Sequence, residues 1–522
     1  MPRNRTIDWA NILDFDLAVK NVRTDIFGDW HRDPWDWPEN EWLITPEGVP
    51  HLIQALNEDG VRRTMLLDVP KENFATRPAI VFDPVDRLIY QALVDRVSTK
   101  LIGSMPRWSF SWRLSRKRPT SGKYVSMGSE WRGYRSRLQQ FSELCETALV
   151  TDIVSFFPSI PIDGIIDAAY DAAGASEVVD RIAVMLNGWS AVSGRSGLPM
   201  RANASCVLSA MYLRPVDDVL LMHGKAVSSR FSGSFLRNFY PLGEGTACRW
   251  VDDVWLFGDE RSDLRAAQMD LQDTMRSLGL NINLAKTDVL EGDDMISKAR
   301  QLEHSAVDVA LDNDQPDFEP LDALIDRLLE KPETANHTSV RFATVRMRRH
   351  DKFERVHEFV DVAERMPHSA AALSRLFHDS ERYVDLGGWF NEYLDSNWAR
   401  MEVAVAQFVT MFPSVSTPGK DVIDTLVRKV LSGCSLSLMA VVIQRLVAWD
   451  KAQARPLIRE LSKRADNPHM RRVLALAALN AQESRSWVDN LLSEFRENVV
   501  IRDFLRARNF TPVPAGADFV GY

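Results

Sequence analysis

Two kinds of hydrophobic pattern divide this chain near residue 320. Beyond that point apolar residues recur at i, i+3, i+4 and i+7 in PLDALIDRLLEK, ARMEVAVAQFVTMF, KDVIDTLVRKVL, LMAVVIQRLVAWD, RPLIRELSKRA, HMRRVLALAALNA and RSWVDNLLSEF, the spacing of helices with one buried face. Helix starts near residues 420, 452 and 485 lie about 33 apart, which predicts an array of helix pairs. Before residue 320 shorter stretches alternate instead. Ala247, Arg249 and Val251, then Val254 and Leu256, alternate with their neighbours around Asp252-Asp253, predicting a hairpin with both acids at its tip. Ala148 to Val154 is a similar apolar run with a single embedded acid, Asp152. Strand alternation carried past this run would point Phe156 and Phe157 to opposite faces, so at least one is expected in the core.

A lone Asp-Asp pair is usually a solvated turn, and Asp217-Asp218 and Asp293-Asp294 are read that way. Asp152, Asp252 and Asp253 differ because each interrupts a strand-like run. Carboxylates brought together raise one another's pKa, so their convergence is tolerated mainly where divalent cations neutralise them. Mg²⁺ suits oxygen ligands of this kind, and two such ions about 3.5–4 Å apart can stabilise the attacking and leaving oxygens of a phosphoryl displacement.

The companions of these acids come in a telling order. KENFATRPAIVFDPVDRLIYQALVDRV (71–97) precedes Asp152, GLPMRANASCVLSAMYLRPVD (197–217) lies between the acidic segments, and LGLNINLAKTDVL (278–290) follows them. This order resembles a reverse transcriptase: a fingers segment, motif A, a motif B opening with GLP and reaching Ser205, an xxDD motif C and a Lys-Thr motif D. The resemblance implies an α+β fold, with fingers and an antiparallel palm sheet followed by an all-α, HEAT-like repeat domain. It implies Asp152 and Asp252 as direct metal ligands with Ile153 and Asp253 in the same metal set, two Mg²⁺ ions with Mn²⁺ as the substitute, and dNTPs as substrates. Lys71, Arg77 and Lys286 would meet the triphosphate and Phe157 would gate the sugar.

Two departures narrow the branch. Trp250 stands where motif C usually has Tyr, and Met200-Arg201 replace the Gln-Gly of motif B. Met200 cannot supply the amide and Arg201 adds bulk where backbone passes closely, which puts ordinary template copying in doubt. With the long C-terminal extension, this resembles the abortive-infection (Abi) reverse transcriptases of bacterial phage defence, especially the prophage-encoded kind. That family implies template-independent, protein-primed synthesis, single-stranded DNA left covalently attached, and a ring-like homo-oligomer such as a trimer. Tyr124, Tyr134, Tyr240 and Tyr522 are the priming candidates. A template-dependent enzyme of the retron or group II intron type, or a nucleic-acid-binding scaffold with an inactive palm, stays open as the alternative.

Charge adds an observation independent of any family. The chain carries −9 overall, yet residues 100–140 hold ten Lys or Arg against the single acid Glu130. Trp108, Phe110, Trp112, Tyr124, Trp131 and Tyr134 interleave them, a combination suited to stacking on bases while cations follow phosphates. Arg107, Arg113, Arg116, Lys117, Arg118 and Trp112 are the contact candidates, joined by Ser205 of the motif B segment.

The expected organisation is an N-terminal extension (1–70), whose Trp30, Trp35, Trp37 and Trp42 cover the polymerase, then fingers and palm (71–303), an acidic linker (304–320), the helical repeat domain (321–511) and a tail (512–522). None of the C-terminal histidines is taken as part of a HEPN ribonuclease signature, Arg-x4–6-His. Four scattered cysteines without CxxC spacing exclude a zinc ribbon or disulfide framework. No apolar run approaches the roughly 18–20 residues of a membrane span and no secretory core opens the chain, so a cytoplasmic location is expected.

Overall fold

The computed structural model describes residues 7–26, 29–31, 33–115, 122–192, 197–228, 245–312, 315–382 and 385–508. It contains seven described strands: β1 (Met65–Pro70), β2 (Thr76–Val81), β3 (Ser109–Phe110), β4 (Thr147–Thr151), β5 (Ala247–Trp250), β6 (Asp253–Gly258) and β7 (Asp288–Glu291). The chain is α+β and forms two compact units that interleave along the sequence. One comprises Met1–Gly28, Leu52–Val61 and Val85–Ser305; the other comprises Asp29–His51, Arg62–Pro84 and Ala306–Tyr522.

The first unit is built on a five-stranded sheet of order β3-β5-β6-β4-β7, antiparallel throughout except for β3 beside β5. Its middle strand is β6, and the neighbouring β4 is buried along its whole length between β6 and β7. One face, carrying Ala148, Val150, Cys248, Trp255 and Phe257, is covered by Tyr134, Leu138 and Phe141 of helix Met127–Leu144 and by Met295 and Ala299 of helix Gly292–Arg300. The alternate residues Leu149, Val254 and Leu256 are buried on the other face, against helices Arg214–Ser228 and Arg261–Ser277. Helix Arg261–Ser277 buries Leu264, Ala267, Leu271 and Met275, one stripe of an otherwise charged segment.

Helix Pro84–Ile102 is buried nearly all round, so its polar groups need internal partners. Asp95 accepts from Asn21, Gln91 and Tyr124, and its carbonyl accepts from Lys123. Segment 52–61 is fastened by Arg181, whose guanidinium donates to the carbonyls of Ala55, Glu58 and Gly60.

The second unit is helical apart from the β1–β2 hairpin. Helices Lys420–Leu431, Lys451–Ser462 and Arg485–Ser493 begin where the pattern places them, each followed by a partner: Leu436–Trp449, Pro468–Asn480 and Val499–Ala507. Hydrogen bonds between layers recur at a separation of 33 residues: Arg355 to Asp322, His368 to Ala335, His378 to Met411, Ser435 to Glu402 and Arg464 to Leu431.

Three boundaries differ from expectation. Residues 1–70 do not form one extension: Trp35, Trp37 and Trp42 are buried in the helical unit, where Trp37 lies under Arg472 and Trp42 beside Phe504. Residues 71–84, read as the start of the fingers, belong to that unit as well. The expected linker is partly helix, Leu302–Leu311. Among the described residues no helix is long and apolar enough to cross a membrane, and all four cysteines are free thiols.

Candidate active site

Strand register brings the three aspartates to one end of the sheet. Thr151, the last residue of β4, pairs with Val254 of β6, so Asp152 follows on one strand as Asp253 opens the other. Trp250 pairs with Asp253 across the β5–β6 hairpin, which leaves Val251 and Asp252 as its two-residue turn. Val251 has φ 56°, an unusual conformation for a β-branched residue.

Segment 281–287 closes the site from beyond β4. Val154 donates to the Asn281 carbonyl (2.9 Å), Asn283 donates to that of Asp152 (2.7 Å), and Ile153 bridges Ile282. Thr287 shares a hydroxyl contact of 2.7 Å with Thr151 and donates back to the Asn283 carbonyl. The short helical turn Leu284–Lys286 then sets Lys286 Nζ 2.6 Å from Asp152 Oδ2.

Charge is unbalanced here. Removal from water, together with the Asp253 and Asp152 carboxylates, raises the Asp252 carboxyl well above its ordinary range, and it hydrogen-bonds Asp152. Asp253 stays solvent-accessible at the start of β6, yet desolvation and Asp152 push it up to about 6, against the pull of Lys286 and Lys298. At Lys286 burial favours the neutral amine, but the bond to Asp152 and the fields of all three aspartates outweigh it and raise its pKa. Three carboxylates facing one ammonium form a donor set suited to a hard divalent cation. Among the described residues no three His, Cys, Asp or Glu side chains stand in a ready metal-holding group; Lys286 and the Asp252–Asp152 hydrogen bond relieve the repulsion instead.

Comparison with protein-family models and with characterised proteins finds no match.

One pair escapes sequence reasoning. Arg249, fully buried in β5, donates to both carboxylate oxygens of Asp217 (2.6 and 2.8 Å) and to the Val251 carbonyl (2.7 Å). Asp217 is no solvated turn acid; it lies buried in helix Arg214–Ser228. The signal available was an Arg at an inward position of an apolar strand, which demands a buried partner.

The other expected residues scatter. Phe156 is buried and Phe157 half-buried, in a short helical turn rather than on opposite strand faces, with rings 5.2 Å apart. The Phe157 carbonyl accepts from Leu198 N, and a Cβ on Gly197 (φ 64°) would stand 2.0 Å from it, so only glycine lets the chain at 197–198 approach. Met200 is buried and Arg201 exposed, its carbonyl held by Arg87. Ser205 is buried against the Tyr90 hydroxyl and cannot contact nucleic acid. Lys71 and Arg77 fall in the helical unit, where Arg77 lies over the Trp30 ring.

Burial also thins the aromatic surface. Trp108, Phe110 and Tyr134 are core residues, Trp112 donates to Asn203 and Tyr124 to Asp95; of the six, Trp131 alone is exposed. Arg113 closes its own loop, donating to the carbonyls of Pro106, Arg107 and Ser109 beside Glu130. Arg107 is exposed. Arg116, Lys117, Arg118, Tyr240 and Tyr522 lie outside the described residues. Arg464 and His469 do have the Arg-x4–6-His spacing, but His469 is buried against the Arg63 carbonyl while Arg464 pairs with Glu460 and the Leu431 carbonyl.

Proposed function

We propose that the chain is a reverse-transcriptase-like nucleotidyltransferase that adds dNTPs at the Asp152–Asp252–Asp253 cluster, without a template and primed by the protein itself, in abortive-infection defence against phage. The observation that carries this reading is the convergence of those carboxylates from two paired strands, with Lys286 on the segment that bridges β4. Asp152, Asp252 and Asp253, with the backbone at Ile153, would hold two Mg²⁺ ions, which when bound lower the cost of charge on the attacking and leaving oxygens. Lys286 keeps a proton at Nζ beside Asp152, where it can meet phosphate oxygens. Phe157, half-buried beside Gly197, is suited to exclude a ribose 2′-hydroxyl.

Further features favour the Abi type over a template-copying enzyme. Met200 is buried and Arg201 exposed at the position where template contacts are made in copying enzymes. The recurring 33-residue separation in the helical unit fits a HEAT-like array in place of a conventional thumb. The Tyr124 and Tyr134 hydroxyls are sequestered, so priming falls to Tyr240, Tyr522 or a serine. The working form is a cytoplasmic homo-oligomer, such as a trimer, that retains its single-stranded DNA product.

Incubating the purified protein with Mg²⁺ and labelled dNTPs, without template or primer, beside Asp252→Asn, tests this directly. Label that travels with the protein until nuclease removes it, and is absent from the variant, is the expected result. Label only after an RNA template and primer are added would indicate a conventional reverse transcriptase, and none under either condition a scaffold.

A further inference from the structure

We propose that the buried Arg249–Asp217 pair is the positioning device for Asp252: it grips the Val251 carbonyl and so fixes the two-residue turn on which Asp252 is carried. This role presupposes that the carboxylate cluster is the metal site proposed above.

An inward position of β5 calls for an apolar side chain, yet Arg249 is there with no exposed surface. Burying a guanidinium is costly unless its charge and its donors are all met. Asp217 meets the charge through Nε and Nη2, and the remaining fork, Nη1, donates to Val251 at 2.7 Å. Asp217 comes from helix Arg214–Ser228, which packs on the same sheet face, so the grip is anchored outside the hairpin. What it holds is a turn that otherwise has reason to relax, since Val251 sits at φ 56°. Rotating Val251 about its N–Cα bond would relieve that conformation, turn its carbonyl away from Arg249 and carry the Asp252 carboxylate away with it. Asp152 and Lys286 are held separately, by β4 and the Ile153–Ile282 bridge, so losing the clamp displaces one arm of the cluster and leaves the others.

The test uses the full chain and Mn²⁺ alone, with binding read from the electron paramagnetic resonance signal of free Mn²⁺ and folding from thermal unfolding of the same samples. Asp217→Leu with Arg249→Met removes both charges at once, an exchange that buried ion pairs often tolerate. Arg249→Lys is the second variant: one ammonium can answer Asp217 but cannot also reproduce the fork to Val251. Both are expected to unfold cooperatively and to bind Mn²⁺ about tenfold or more weakly, the usual scale for removing a partner that orients a ligand. Adding Val251→Gly to the double variant should restore part of the affinity, because glycine holds a positive φ unaided; support of the core alone predicts no such rescue. Wild-type affinity in a folded Arg249→Lys protein, or a loss that Val251→Gly leaves unchanged, would overturn the proposal. A wild-type protein that does not bind Mn²⁺, or binds it no better than Asp252→Asn, would overturn the metal-site reading itself, and this role with it.

Discussion

Asp252 and Asp253 hold protons in the folded protein at pH values where the unfolded chain has released them. A carboxyl whose folded pKa is raised stabilises the fold below its unfolded value and loses that contribution as the pH climbs through the folded one. For Asp253 the window runs from the ordinary carboxylate value near 4 to about 6. In metal-free protein the unfolding temperature of the wild type should therefore fall relative to that of Asp253→Asn as the pH rises across this window. Divalent ions need the deprotonated carboxylates, so Mg²⁺ should raise the midpoint more at pH 8 than at pH 5. A difference between the two proteins that stays constant across the window in chelator would remove the electrostatic crowding on which the site depends.

At the scale of elements, polar groups buried in the second unit join its helices. Arg472 in helix Pro468–Asn480 donates to both oxygens of Asp33 at 3.0 Å and of Glu39 at 2.6 and 2.9 Å, with the Trp37 ring 4.3 Å away. Arg472→Met leaves two buried carboxylates with no counter-charge, and a loss of about 3–5 kcal/mol is expected in urea denaturation. Adding Asp33→Leu and Glu39→Leu should recover most of it, because the charges then leave together. If the single substitution proves neutral, the cluster has stayed hydrated and is not the tie described.

At the scale of the molecule the interleaving of the two units matters most. A chain cut after residue 305 would keep segments 29–51 and 62–84 but lack the helices that bury Trp35, Trp37 and Trp42. Such a truncation should bind a hydrophobic dye and lose near-ultraviolet circular dichroism; a well-folded 1–305 would contradict the division. The units also answer acid in opposite directions. Burial lowers His31 to about 4 and His469 to about 3, so the helical unit, which must keep both neutral, loses stability as the pH falls below about 6.5. Hydrogen exchange on metal-free protein between pH 6.5 and 4.5, corrected for intrinsic rates, should show weakening protection in helices Leu436–Trp449 and Pro468–Asn480. Protection in β4 and β6 should strengthen as Asp252 and Asp253 gain protons.

Local pattern determined a good deal. Period-2 alternation located the hairpin that presents Asp252 and Asp253, and the apolar run before Asp152 became an interior strand of the same sheet. The helical periodicity placed the starts of three later helices to within a residue, because amphipathic spacing states which face is buried. It does not state what buries that face. Ser205, Arg113 and most aromatics of the basic segment looked available for nucleic acid until the fold gave each an internal partner. Asp217 looked like a surface acid until a strand 32 residues away supplied a buried guanidinium. The N-terminal tryptophans were legible as core but not as core of the helical unit, since their ties, such as Arg472 to Glu39, span 433 residues. Periodicity is set by each residue's immediate neighbours, whereas the direction of a polar side chain is settled by whichever distant group removes it from water.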